Sequence, residues 1–237
     1  MNNPVWPRMP SRSFRRSARL LRCSLGLVLL LLPLWASAQH RLTPHPDSQF
    51  WIQGDATVRT FTCVATGVEG SAQLPAAKDS VSAKESAQTS VVVQVPIKSI
   101  DCGNSRMTSD LQETLKMKEH PNIRFELVHG TMGGRTDSSA QWRRIDALGP
   151  LTVAGTKRLT KLDAAARALD DEHFRLRGCL PIRMTYFGIE PPTKAFGLIK
   201  VKNRVEVQYD LLAQTASAES SAPFDTISRT NPPSCND

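Results

Sequence analysis

From His173 to Thr185 the chain keeps a strict period of two. Phe174, Leu176, Gly178, Leu180, Ile182 and Met184 fall on one side, and Arg175, Arg177, Cys179, Pro181 and Arg183 on the other. Successive side chains of an extended chain point to opposite faces, so this period marks a strand with one dry face. The pattern recurs in Val91/Val93/Val95/Ile97, in Ile123/Phe125/Leu127 against Arg124/Glu126, and in Leu151/Val153. It returns in Ile199/Val201 against Lys200/Lys202 and in Val205/Val207/Tyr209/Leu211 against Glu206/Gln208/Asp210. With segments near Phe50 to Ile52, Val58 to Ala65 and Leu159 to Leu169, about eight strands are predicted, a number that suits one antiparallel barrel or sandwich.

Only one stretch reads as a helix. Between Asn104 and Pro121, Met107, Leu111 and Leu115 recur every four residues among Asp110, Glu113, Lys116 and Lys118. Ser109 with Gln112 offers a capping box, and Pro121 closes the segment. Such a helix is expected to lid or plug one end of a barrel. Gly67 to Thr89, rich in Ala, Ser, Gly and Lys, reads as a surface loop.

Charge matters mainly for where it lies. The formal net charge is +8, from 30 basic and 22 acidic residues. Six arginines (Arg8, Arg12, Arg15, Arg16, Arg19 and Arg22) precede an apolar run from Ser24 to Leu34 and the small residues Ala36-Ser37-Ala38. That order of basic leader, short apolar core and small-residue cleavage site predicts a signal peptide over 1–38. Without those arginines 24 basic residues face 22 acidic ones, a net +2. Nucleic-acid binding needs clustered excess cations and is not expected. The remaining chain divides into a leader (39–48), one domain (49–214), long enough to bury its own core, and a polar tail (215–237). The expected location is the periplasm or the exterior.

Past the signal peptide four cysteines remain: Cys63, Cys102, Cys179 and Cys235. In an oxidising compartment an even number points to disulfides, with three pairings open. No two of them form a CxxC pair. The histidines His40, His45, His120, His129 and His173 make no HExxH and no pair at metal spacing on one strand, and no GxSxG is present. His120 belongs to a His-Pro turn, where a structural role is expected. No catalytic residue, metal or cofactor is therefore expected. One discounted exception is a copper chelate at an N-terminal His40 with His45, which needs cleavage one residue late.

Six segments in order carry a resemblance. They are Phe61-Thr62-Cys63, Val95 to Asn104 (Val-Pro-Ile-Lys-Ser-Ile-Asp-Cys-Gly-Asn), the helix with Met107, Asp110 and Leu115, His120 to Phe125 (His-Pro-Asn-Ile-Arg-Phe), Gly149 to Arg158, and Met184 to Ile189 with Pro191-Pro192. Together they resemble the YceI-like family of exported lipid-binding domains, over nearly all of 49–214. Tyr186 departs from the pattern, since many relatives have an Asp there. The resemblance implies an all-β, lipocalin-like, elongated antiparallel barrel of about eight strands with one amphipathic helix near one end. Its interior would be an apolar tunnel for an isoprenoid or other lipid.

The inward residues of the matched strands are then the expected tunnel lining: Val93, Val95, Phe125, Leu127, Leu151, Val153, Leu180, Ile182, Met184 and Phe187. For any one of them ordinary core packing is the plain alternative, and composition does not decide between a filled and a hollow barrel. The resemblance also pairs Cys63 with Cys102. Cys179, on the polar side of its strand, and Cys235, in the tail, form a less firmly assigned second bridge that staples the tail to the outer wall. A competing reading is an envelope interaction module with a filled barrel. It would dock on a membrane or protein partner through its outer face, with Arg175, Arg177 and Arg183 meeting anionic groups.

Overall fold

The computed structural model describes residues 40–74, 90–135, 142–194, 196, 198–215 and 235. The expected signal peptide lies outside these residues, as does the tail apart from Thr215 and Cys235. Thirteen strand segments share one hydrogen-bonded path or pair onto it. They are β1 (His40–Pro44), β2 (Gln49–Ala56), β3 (Thr60–Ala65), β4 (Glu69–Leu74), β5 (Ser90–Pro96), β6 (Ile100–Asp101) and β7 (Asn122–Glu126), followed by β8 (His129–Arg135), β9 (Arg143–Val153), β10 (Thr156–Ala168), β11 (His173–Arg183), β12 (Thr193–Lys194) and β13 (Ile199–Thr215). Among the described residues there is one α-helix, α1 (Ser105–Thr114), between β6 and β7.

The segments assemble into eight staves. β1 and β2 form one stave, kinked at residues 45–48; β3 with β4, β5 with β6, and β7 with β8 form the next three. β9, β10, β11 and β13 complete the set, each antiparallel to the one before. β13 pairs with β2 along Val201–Asp210 and with β1 at Ala213–Thr215, which returns the ring to its start. The result is a closed eight-stranded antiparallel barrel whose order in space is its order in sequence. Closure removes the exposed edges that an open sheet of this length would present. At the kink, buried Ser48 accepts from the Leu212 N–H (3.1 Å) and donates to the Leu212 carbonyl (3.0 Å), so the break leaves that part of β13 satisfied.

Several elements differ from expectation. The leader is in part wall, since residues 40–44 are β1. The supposed loop after Gly67 contributes β4, whose Ser71 and Ala72 pair with Val92 and Val91 of β5. Neighbouring strands impose the extended form there on a Gly/Ala/Ser sequence of low strand preference. Helix α1 begins one turn before Ser109, with Asn104 Oδ1 accepting from Met107 N (3.1 Å), so no capping box forms at Ser109/Gln112. It stops at Thr114, whose hydroxyl bonds back to the Asp110 carbonyl (2.7 Å), and Lys116 at φ 54 turns the chain. Pro121 accepts from Ile97 N (2.8 Å) instead of ending the helix. Ile97 and Met184 lie in 3₁₀ turns, Ile97–Ser99 and Met184–Phe187, just past the ends of their strands.

The β9–β10 turn consists of Ala154 and Gly155, both at positive φ (47 and 81), as a tight two-residue hairpin demands. The His120 ring sits where a side chain on Gly155 would be, so the His-Pro segment packs on this turn.

Candidate functional site

The barrel is hollow. Its interior is a cavity of about 860 Å³, within the range of small-molecule sites. Eight strands enclose a space wide enough for side chains or for one ligand, and the side chains on the wall decide which. Small inward residues, among them Ala56, Ala147, Ala164 and Ala166, leave space that Leu or Phe would fill.

All ten residues nominated from sequence line this cavity: Val93 and Val95 on β5, Phe125 on β7, Leu127 just after it, Leu151 and Val153 on β9, Leu180 and Ile182 on β11, and Met184 and Phe187 on the following 3₁₀ turn. Others on the wall were not nominated. β2 adds Phe50 and Ile52, β3 adds Phe61, and β13 adds Val201, Val205, Val207, Tyr209 and Leu211. The alternation of β13 was visible in the sequence and would have found its members. Ala147, Ala164 and Ala166 gave no apolar signal, because an alanine on a wall and one on a surface read alike. From α1 and the residue after it, Met107, Leu111 and Leu115 face the cavity, so the helix is the apolar cover of that end.

Polar groups stand on the wall at both ends, Thr43, Ser71, Thr131 and Arg175 away from the helix and a second set beside it. Asn104, Arg106, Asp110 and Thr114 of the helix segment stand there with Arg59 of the β2–β3 turn. Deeper in, Tyr209 donates to the Asp163 carbonyl (3.1 Å) and its ring lies 5.9 Å from that of Phe50. Burial, and secondarily the charge of Asp163, push its phenol far above the ordinary value, so Tyr209 stays a neutral donor.

Cys63 is bonded to Cys102, and Cys179 to Cys235. The first bridge ties β3 to the segment between β6 and α1, at the cavity wall; the second holds a tail residue on β11. Cys179, Glu206 and Cys235 put ligand atoms within 4.8 Å of one another, but sulfurs bonded to each other offer no thiolate for a metal. His120 packs on Gly155, and His173 Nδ1 lies 2.9 Å from Asp170. The side chain of His40, the discounted copper ligand, is outside the described residues.

The basic strip on β11 is not a free surface. Arg175 is only 6% exposed and grips Asp210 of β13 through Nε–Oδ1 (2.7 Å) and Nη2–Oδ2 (2.6 Å). Arg177 adds a third bond to the same carboxylate (3.0 Å), and Arg183 stacks over the Tyr186 ring at 5.8 Å. One carboxylate thus holds two of the three arginines assigned to anionic partners.

Comparison with known proteins places this geometry. Residues 45–213 match the profile of the YceI-like domain. No curated protein sequence matches the chain. Among solved structures, a polyisoprenoid binding domain from Saccharophagus degradans superposes with a TM-score of 0.55 at 10% identity, covering 75% of this chain and 99% of that one. BcnA from Burkholderia cenocepacia superposes with a TM-score of 0.52 at 13% identity, covering 70% of this chain and 95% of that one. At such identities the two structures speak for the fold alone.

Proposed function

Since the chain belongs to the YceI-like family, we propose that it is a carrier, without catalytic activity, that holds one long apolar lipid inside its barrel. A polyisoprenoid, a quinone-like lipid or a fatty acyl chain would fit, and transport, storage or a stress response in the cell envelope is the corresponding task. The observation that carries this reading is the cavity itself: about 860 Å³ lined almost wholly by aliphatic and aromatic side chains. A polyisoprenoid is favoured because the Saccharophagus degradans domain is described as binding one.

The energetics suit a lipid tail. Each buried methylene contributes about 0.8 kcal/mol, so roughly ten of them match a micromolar affinity before the cost of ordering the chain. A preformed cavity keeps that cost low. The tail would lie among Val93, Phe125, Leu151 and Leu180, with its polar head toward Arg59, Asn104 and Arg106 at the helix end. The two disulfides favour an oxidising location, in keeping with export to the periplasm or beyond. The competing picture of a filled barrel loses support, because the interior is not filled.

Mass spectrometry of organic extracts from protein purified after expression with residues 1–38 intact provides the test. One lipid class is expected in near-stoichiometric amount. Leu127→Trp and Met184→Trp, which push indoles into the cavity, should cut loading by more than about half while the chain stays folded, since a hollow accepts added volume that a packed core would not. Extracts without lipid, together with variants that match the parent in both loading and stability, would sink the proposal.

A further inference from the structure

We infer that the helix end of the barrel docks on an anionic phospholipid bilayer, through the tips of the β2–β3 and β12–β13 turns. The first tip carries Val58, 65% exposed; the second carries Leu198, 75% exposed, and Phe196, fully exposed. Phe196 also sits at φ 54, a left-handed conformation uncommon for a bulky residue. The ring therefore gains neither burial nor relaxed backbone from its place.

The two tips form one surface. Thr57 N donates to the Lys200 carbonyl (2.9 Å), and Lys200 N donates to Thr57 Oγ1 (3.1 Å), which ties the turns together beside their apolar residues. Charge around them selects the partner. Residues 191–204 contain Lys194, Lys200, Lys202 and Arg204 and no acid, and Arg59 adds a cation on the other turn. Asp55, bound to Lys202 (3.1 Å), Glu206, bound to Arg204 (3.4 Å), and Glu190 are the nearby acids, so these five cations still outnumber three acids. Exposed apolar side chains ringed by cations suit the interface of an anionic membrane, where the rings enter the head-group region and the cations stay among phosphates. A neutral protein groove would leave those cations unmatched.

The position has a functional consequence. Val58, Arg59, Pro192 and Ile199, from these same turns, also line the cavity. Docking here would set the cavity against the bilayer from which an apolar ligand must come, and would spare that ligand a passage through water. The surface itself does not depend on what the cavity holds.

Flotation of the purified protein with phosphatidylcholine vesicles, with and without phosphatidylglycerol, tests this. Binding is expected only with phosphatidylglycerol, and it should fall as salt rises toward about 1 M, where charges are screened beyond about 3 Å. Phe196→Ser with Leu198→Ser, which alters no cavity residue, should weaken vesicle binding about tenfold or more while leaving co-purifying lipid unchanged. The single variant Phe196→Trp should shift its emission to the blue with anionic vesicles only. Retained binding by the double Ser variant, no preference for phosphatidylglycerol, or emission from the Phe196→Trp variant that anionic vesicles leave unshifted would each overturn the inference, as would self-association through the tips without vesicle binding. Leu127→Trp, which blocks the cavity, should still float, so failure of docking and failure of lipid carriage are told apart.

Discussion

Gly178 stands at an inward position of β11, where alternation calls for a large apolar residue, and the Tyr209 phenol occupies the place a side chain would take. The absence of a Cβ is what lets Tyr209 cross from β13 and reach the Asp163 carbonyl on β10. Gly178→Ala should therefore cost about 1–3 kcal/mol, the usual penalty for overpacking, read by denaturant unfolding. The loss should be smaller when Tyr209→Phe is already present, and equal losses in both backgrounds would show that the phenol is not what the glycine accommodates. Sequence reveals the alternation but not this kind of exchange, because a niche belongs to two strands at once. The same limit explains Arg175. Its period placed it among polar residues, yet Asp210, 35 residues away, turns it into half of a buried pair. Most of the nominated lining residues were legible because they owe their place to their own strand's period and not to a distant partner; Phe187, on the 3₁₀ turn past β11, was reachable only through the family resemblance.

At the scale of elements, long strands with clean alternation could be read and local punctuation could not. β11 and β13 announce themselves, whereas β1 (His-Arg-Leu-Thr-Pro) and β4 (Glu-Gly-Ser-Ala-Gln-Leu) are strands because their neighbours supply hydrogen-bond partners. Helix α1 was found by its four-residue recurrence, but its cap was missed, since Asn104 and Ser109 are both acceptable first residues and only the chain's exit from β6 chooses between them. The β9–β10 turn is the element with the sharpest local requirement. Gly155→Ala would hold a side chain in the left-handed region and drive it into the His120 ring, so a loss of at least about 2 kcal/mol is expected. Thermal or denaturant unfolding measures it, and His120→Ala in the same chain should return part of the loss. An unchanged stability would mean that the His-Pro segment does not pack on the turn as described.

For the whole molecule, order in sequence equals order in space, so the ring needs no crossover, and its closing joint is the seam of β13 on β2 and β1. A wall built this way holds a cavity only if its staves do not part at the ends. At the helix end that task falls to the bridge between Cys63 and Cys102, which spans 39 residues and joins the second stave to the third just before α1. In the chain-entropy model a loop of that length is worth about 4 kcal/mol. Cys63→Ala with Cys102→Ala should lower the free energy of unfolding by about that amount. Hydrogen exchange should then quicken first in α1 and β3, next to the released joint, and later at β10 and β11 across the barrel. If exchange rises evenly over all staves, the bridge acts only on the unfolded chain and the helix end is held by packing. If it rises locally, the same covalent tie that stabilises the fold also keeps the cavity closed where Met107, Leu111 and Leu115 cover it.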